Sequence, residues 1–582
     1  MRSLLVALAG TGMAALPVAV FAPSPAVATV PACGCHAHQV FALMQPQSGD
    51  APKVLHPSQQ PDHERVDAKP REVNLRNVKK LTFGGQNAEA YWNVNGGRIT
   101  YQARVPGYPD EQIFQMNEDG SDKRLVSTGE GRCTCSYFSP DDSHIYFSST
   151  HTREKGAQPP IDMSQGYVWM VNPNFSLYRR NLATGTLDSV IDTGTYVAEA
   201  TIAPDGSFLT FTGLQDGELD IYRSNLEGGD IRRLTNSAGY DGGPFVSWCG
   251  RKIVYRRDSD SSPEYLAEYR RLLDQFKVRP GRLEIWVMDA DGSNKRQVTN
   301  LGGASFAPFL HPDGKRIVFS SNFEDPRGRV FELYMVNIDG TGLRRITFHP
   351  DFDSFPMFNK EGTKLLWSSN RYNQVRGETN VFVADWVEVD RDPIELEPTD
   401  DVWVYPFAGP QETDPILRVW GDGATSLPDV TDTDTELSYS MLKFQLPEGG
   451  LSQFSGAELI LYAVPGQDYS AKQFLDYPIE AFLAPTGWNE KSWNFDLALK
   501  FKPSKTFLGR NAPVTPSNEP FAVTIPIMLS RLEESESVKN DRTVAIALGS
   551  KLPVDTFGRE GVYRFFGRHA EPKLRPKLRL LP

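Results

Sequence analysis

Cysteine is scarce in this chain, five residues among 582, and so is positive charge, the formal net charge being −12. The first shortage excludes a scaffold built on disulfides. The second excludes a nucleic-acid partner, because the only basic stretch is the short tail Lys573 to Arg579, which reads as a solvated strand edge. Apolar runs long enough to span a membrane are missing after residue 22. Catalytic signatures are missing too. There is no G-x-S-x-G elbow, no H-E-x-x-H and no P-loop, so any chemistry would have to come from the fold's own surfaces.

What is abundant is turn-forming and aromatic. Forty-eight glycines, 43 prolines and 11% aromatics describe an all-β chain, and its length calls for two or three domains. Met1-Arg2-Ser3, the apolar run Leu4 to Ala22 and Ala26-Val27-Ala28 form the pattern of a secretory signal over residues 1–28. The expectation is an exported protein, periplasmic or extracellular, with no membrane span after cleavage. A membrane anchor is the alternative; Gly10, Gly12 and Pro17 inside the run and Pro23 and Pro25 after it favour cleavage. Residues 29–75, which carry Cys33, Cys35, His36 and His38, read as a polar linker without a core.

From Asn87 onward one pattern recurs in six copies: NAEAYWNVNGG, CTCSYFSPDD from Cys133, VAEATIAPDG from Val197, DGGPFVSWCG from Asp241, SFAPFLHPDG from Ser305 and DSFPMFNKEG from Asp353. Each is an alternating strand and a turn, followed by a second and a third strand and an Asp-Gly-like turn. Four-stranded units of about 40 to 50 residues are propeller blades. The sixth copy lacks its fourth strand, and Val78 to Thr82, which matches the fourth strand LRRIT, supplies it from the other end and closes the ring. The Pro-Asp-Gly turns at Pro204 to Gly206 and Pro312 to Gly314, with LTFGGQNAEAYW, GYDGGPF and FHPDFDSFPMF, make residues 76–388 resemble the TolB-like six-bladed propellers built from the PD40 (WD40-like) repeat.

After a linker over 389–400 the period is gone. Eight strands, from ILRVWG to KLRLL, with little helix between them, read as a jelly-roll β-sandwich over 401–582. Its landmarks are Ser440 to Phe444, Gly456 to Leu459, Trp488-Asn489-Glu490 with Trp493, Phe521 to Thr524, Arg559-Glu560 and Pro576 to Leu578. In order they resemble the DNRLRE domain, which is related to polysaccharide-binding modules. The resemblance implies a carbohydrate-binding module.

Topology places the site. All the long insertions, residues 151–174, 258–282, 323–329 and 371–378, lie on one face of the ring, where binding is expected. SPEYLAEYRRLLDQF is helical, with Ser262 as cap and Pro263 in the first turn, and lies across that face or on its rim. Ligand-type residues at the inner-strand entries follow: Asn87, Glu89, Glu199, Asp241, Asp351 and Asp353 as ligand contacts. Glu89, Glu199, Asp241 and Asp353 converging on one channel mouth would hold Ca²⁺ or a similar hard cation. His151, His349, Arg371 and Tyr240 are the candidates for catalysis. Cys133 and Cys135, two apart on a strand, point to one side and are expected in a disulfide, a soft-metal site with the Cys33 to His38 cluster being the alternative; Cys249 stands free on the opposite face.

Two functions from different classes fit. One is a binding or scaffold protein whose partner is a polysaccharide or an envelope protein, which the platform nature of the fold favours. The other is a polysaccharide lyase or hydrolase working at the channel mouth.

Overall fold

The computed structural model describes residues 54–160, 168–405, 408, 411–421, 437–465, 469–553 and 561–582. The signal segment, the Cys33 to His38 cluster and the Arg559-Glu560 landmark lie outside the described residues.

Six antiparallel sheets form the blades of a propeller. Their inner strands are Gln86–Trp92, Cys133–Phe138, Val197–Ile202, Asp241–Val246, Ser305–Leu310 and Asp353–Phe358. Blades one to five each carry four strands in sequence order, joined by tight turns in which the Asp-Gly and Pro-Asp-Gly glycines take positive φ. The sixth blade has five strands. Outside Asn380–Trp386 it receives Leu75–Lys80, with Leu75 opposite Trp386 and Lys80 opposite Phe382, and beyond that Glu64–Arg65. The ring is therefore closed by the N-terminal side of the chain, three residues earlier than Val78.

The stretch expected to be a coreless linker takes part in the fold from Val54 onward. Gln60 donates to the carbonyls of Leu55 and Phe83, and Glu72 is buried and bonds to blade six. Polar composition does not mean absence of structure here, because these side chains find buried partners on the ring.

One backbone feature repeats in every blade. The third or fourth residue of each inner strand has a left-handed φ: Glu89, Cys135, Glu199, Gly243, Ala307 and Phe355, all between 50° and 60°. Each coincides with a break in register between first and second strand, a β-bulge. The bulge swings that residue toward the axis. Two residues further on, Phe245 meets Tyr91, Tyr137 and Phe309 edge to face with ring centroids 5.1 to 5.7 Å apart, and Tyr91 lies tilted against Tyr137 at 6.2 Å, so these rings plug the channel below.

The C-terminal region is all antiparallel strands around its own core of Leu442, Phe444, Leu459, Leu461, Val523, Ile525, Ile546, Phe565 and Leu578. Every strand expected from sequence is present, and Ile394–Leu396, Asp400–Val404 and Phe507–Arg510 add to them. Ile394–Leu396 pairs with Lys577–Leu581, so the expected linker already belongs to this sheet. Four short helices, Ala471–Asp476, Phe495–Lys500, Leu529–Glu534 and Glu536–Asp541, go beyond the expectation. At six residues each they are too short for an amphipathic period to register.

The two regions are docked through blade five and through Arg71 of the N-terminal segment, which donates to the Phe454 carbonyl at 2.6 Å and pairs with Glu533 at 3.2 Å. The Arg345 N–H donates to the Ser455 carbonyl at 2.8 Å, Gly342 N–H to Glu458 at 2.9 Å and the Asn300 amide to the Asn511 carbonyl at 3.0 Å. Glu324 accepts from the N–H groups of Leu529 and Ser530 and from the Ser530 hydroxyl. The edge strand of that blade is thereby covered.

Candidate functional site

The bulges decide which candidates reach the channel. The six residues that they turn toward the axis, Glu89, Cys135, Glu199, Gly243, Ala307 and Phe355, line one small cavity of about 50 Å³, together with Trp169, Phe306 and Arg256. The residues two positions earlier, Asn87, Cys133, Asp241 and Asp353, are buried between blades instead. Strict alternation, the basis of the expectation, would have put both sets on one side. The left-handed φ of the second set itself breaks the alternation.

Glu199 and Arg256 form the charged pair of the cavity. Arg256 comes from the second strand of blade four, opposite Gly242, and its guanidinium occupies the space over Gly243, where a Cβ would lie 2.2 Å from Nη1. It donates to Glu199 and, at 3.0 Å from Nε, to the Tyr240 hydroxyl, and lies over the Trp169 ring at 5.1 Å. Glu199 also accepts from the Thr212 hydroxyl at 2.7 Å and from Gly243 N–H at 2.9 Å. Burial works to raise its carboxyl, and Arg256 with these two donors outweighs burial and holds it below the ordinary value.

Glu89 is placed differently. It accepts the Cys135 thiol at 2.8 Å, and burial pushes its carboxyl up to about 7. The Cys135 thiol is itself raised by burial and by Glu89, which leaves it protonated and unreactive at neutral pH.

The long insertions close the mouth. Trp169–Met170 pairs with Lys277–Val278, so the described parts of the 151–174 and 258–282 insertions make a two-stranded cap. The helix Pro263–Leu273 forms as expected, with Ser262 Oγ accepting Tyr265 N–H, and buries Tyr269, Leu272 and Leu273. Tyr269 and Leu273 join Trp169, Tyr240, Phe306 and Phe355 in one apolar cluster over the channel.

The remaining candidates serve the scaffold. Arg371 donates to Glu72 at 2.9 and 3.1 Å and to Asp353 at 2.7 Å, all three side chains being fully buried. His151 Nδ1 bonds to Ser149 Oγ at 2.9 Å and its ring packs on Tyr178; His349 accepts Asp351 N–H at 3.3 Å. Burial lowers both imidazoles, which keeps them neutral at pH 7. Asp351 is exposed. The Asn87 amide donates to the Gly84 carbonyl and, across the blade seam, to Thr379 and Asn380.

Two expectations are corrected by this geometry. The four carboxylates do not gather round a cation: Glu199 is held by Arg256, Asp353 by Arg371, and Asp241 lies beside Arg257 at 3.7 Å with its carboxyl raised to about 7 by burial. Of the four, only Glu89 and Glu199 share the cavity. Nor are Cys133 and Cys135 bridged. Cys133 is buried against Ser149, Cys135 faces the channel, and both thiols are free, as is Cys249.

A second concavity lies in the C-terminal region and was not legible in the sequence. Trp403, Tyr405, Trp493 and Phe495 line an open groove of about 420 Å³ with Gln411, Glu412, Glu490, Lys491 and Asn494 among them. Trp403 and Tyr405 are stacked, 6.1 Å apart at 15°. Trp403 lies on the strand Asp400–Val404, which periodicity did not mark, and Tyr405 follows it directly; the two share the groove with Trp493 only through tertiary structure.

No family model matches the sequence. Over 129 residues the chain is 29% identical to an uncharacterized protein of Agrobacterium fabrum, a match that covers 22% of this chain and 37% of that relative's length. Among solved structures it is similar to TolB from Acinetobacter baumannii, at 18% identity over 50% of this chain and 63% of that one, with a TM-score of 0.35. It is also similar to an oligogalacturonate lyase in complex with manganese, at 16% identity over 56% and 96% of the two chains and a TM-score of 0.34. A gluconolactonase from Xanthomonas campestris matches at 12% identity over 59% and 100%, with a TM-score of 0.37. No activity passes from these proteins to this chain. Among the described residues no helix is long and apolar enough to cross a membrane.

Proposed function

We propose that this is an exported binding protein in which a lidded six-bladed propeller carries a C-terminal jelly roll of the polysaccharide-binding type, and that the jelly roll holds a polysaccharide in its aromatic groove. The observation that carries the reading is the contrast in access. The groove is open and built of stacked aromatic faces with polar groups at its edges, the arrangement that fits the flat apolar face and rim hydroxyls of a sugar ring. The channel cavity is about 50 Å³, far below the several hundred Å³ of an ordinary ligand pocket, and its polar groups are engaged with each other. The propeller then acts as a platform, and an envelope protein is the partner to expect on its lidded face.

Screening the mature chain on a glycan array, followed by titration of the polysaccharide bound, tests the reading. Trp493→Ala should weaken binding about 5- to 30-fold, as loss of an aromatic contact of 1 to 2 kcal/mol does. Unchanged affinity in this variant, or a full array without a ligand, would remove the groove from the account. The enzyme reading keeps one observation in its favour: Glu89, with a carboxyl near 7, lies in a cavity with Arg256, an acid–base group beside a cation. Release of unsaturated uronate, followed by ultraviolet absorbance and abolished by Glu89→Gln, would favour it over the binding reading.

A further inference from the structure

Three side chains far apart in the chain meet on the C-terminal region. Asp401 stands on the strand Asp400–Val404, Glu490 opens the 3₁₀ turn Glu490–Ser492, and His569 follows the strand Tyr563–Phe566. One ligand atom from each lies within 4.8 Å of the other two, and Glu490 Oε2 is 3.3 Å from His569 Nε2. An ion bonded to carboxylate oxygen and imidazole nitrogen at about 2.0 to 2.2 Å sets its ligand atoms roughly 3 to 4 Å apart, so the widest pair needs to close by about 1 to 2 Å.

The chain is closely fitted around this corner. Asp401 is 2% exposed, makes no ion pair among the described residues, and accepts a hydrogen bond from Arg568 N–H at 2.6 Å. A buried carboxylate without a cation is costly. The backbone approaches it so closely that a Cβ at residue 567 would lie 2.7 Å from Asp401 Oδ2; glycine occupies that position. Glu490 is likewise 6% exposed and is held by the Arg568 guanidinium on its other oxygen. His569 is exposed and gives the corner an opening to solvent.

We propose that Asp401, Glu490 and His569 bind a divalent transition-metal ion of the zinc class. Two carboxylates and an imidazole suit such an ion, whereas the nitrogen donor disfavours the hard cations Ca²⁺ and Mg²⁺. Three protein ligands leave a coordination position toward solvent. Arg568 holds Glu490 while the metal is absent and, being partly exposed, is free to swing away when it binds.

The test is titration of the chelator-stripped full chain with ZnCl₂ and, separately, CaCl₂ by calorimetry, with melting temperature as a second readout. Cysteines and histidines elsewhere in the chain can bind zinc on their own account, so the comparison is between the wild type and His569→Ala, an exposed position whose replacement leaves the core intact. His569→Ala should lose one equivalent of bound Zn²⁺, or bind it at least about tenfold more weakly, and lose the accompanying rise in melting temperature. Arg568→Ala should bind Zn²⁺ more tightly than wild type, because the competing cation on Glu490 is gone. Identical isotherms for wild type and His569→Ala, or weaker zinc binding in Arg568→Ala, would leave an ion-pair network only and overturn the site. Saturation of the same equivalent by Ca²⁺ at equal affinity would overturn the assignment of ion class.

Discussion

The channel mouth and the C-terminal groove are both concave, both aromatic-lined and both contain glutamates, and they differ in how much space is left between their side chains. At the mouth six strands converge, so each bulge residue must settle its polarity against its neighbours within a cavity of about 50 Å³: Arg256 takes Glu199, and Cys135 takes Glu89. In the groove the polar groups are bonded as well, Gln411 Oε1 accepting from Trp403 N–H and Asn494 Oδ1 from Leu497 N–H, but the elements stand far enough apart to leave a space of about 420 Å³. The axis of a propeller is first a packing problem. A cluster of acidic residues there is evidence of inter-blade bonding before it is evidence of a ligand.

The comparison breaks most readily at the ring's own ion pairs. Arg371→Ala leaves Glu72 and Asp353 buried without a cation, and removing one partner of such a set costs about 3 to 5 kcal/mol. Urea unfolding should show that loss while saccharide binding in the groove persists under native conditions. A change below about 1 kcal/mol, the range of an exposed pair, would mean that these bonds do not hold the N-terminal segment to the ring.

Next comes Glu89, whose raised carboxyl makes a statement about pH. A group ordinarily at 4.5 and near 7 in the folded chain binds more protons when folded, so its favourable contribution is complete below about pH 4.5 and is lost as pH rises through 7. Glu89→Gln removes that loss. At pH 8 the variant should be more stable than wild type by up to roughly 3 kcal/mol, since each pH unit between the unfolded and folded values is worth about 1.36 kcal/mol. At pH 4 the two should melt together. Equal melting temperatures at both pH values would indicate that water reaches the cavity freely.

The smallest expected effect lies at the contact between the two regions. Glu324→Ala leaves the N–H groups of Leu529 and Ser530 without their acceptor, a cost of about 1 to 3 kcal/mol. Calorimetry should resolve two transitions in the variant where docking gives one in the wild type. A single unshifted transition would mean that the remaining bonds of blade five suffice.

Much of the propeller is legible because each blade repeats a local rule. Alternating apolar residues specify strands, and Gly at Gly206 or Gly314 supplies the positive φ of a turn, so six copies can be counted without any tertiary information. The bulge is less visible, since Glu, Cys, Ala and Phe carry no signal of left-handed backbone. The one available hint is Gly242-Gly243 in the fourth copy, where a side chain is missing so that Arg256 can enter. Glu72 reads as part of a polar linker because, beyond its local bond from Lys69 N–H, the partners that tie it to the ring, Arg371 and Phe348 N–H, lie almost three hundred residues away.

By itself the sequence determined the class of the fold, the number of blades and the closure of the ring by the N-terminal strand, since these follow from period, turn chemistry and the need to satisfy a sheet edge. It determined the helix itself through Ser262, Pro263 and the apolar period that follows, and left open whether that helix covers the mouth or the rim. Which side chains share a cavity was decided only by tertiary structure. A single left-handed residue reverses the facing of everything on one side of it, which separated Glu89 from Asn87 and Cys135 from Cys133. The groove and the Asp401, Glu490 and His569 corner join segments up to 168 residues apart, a distance over which no local pattern constrains where a side chain will point.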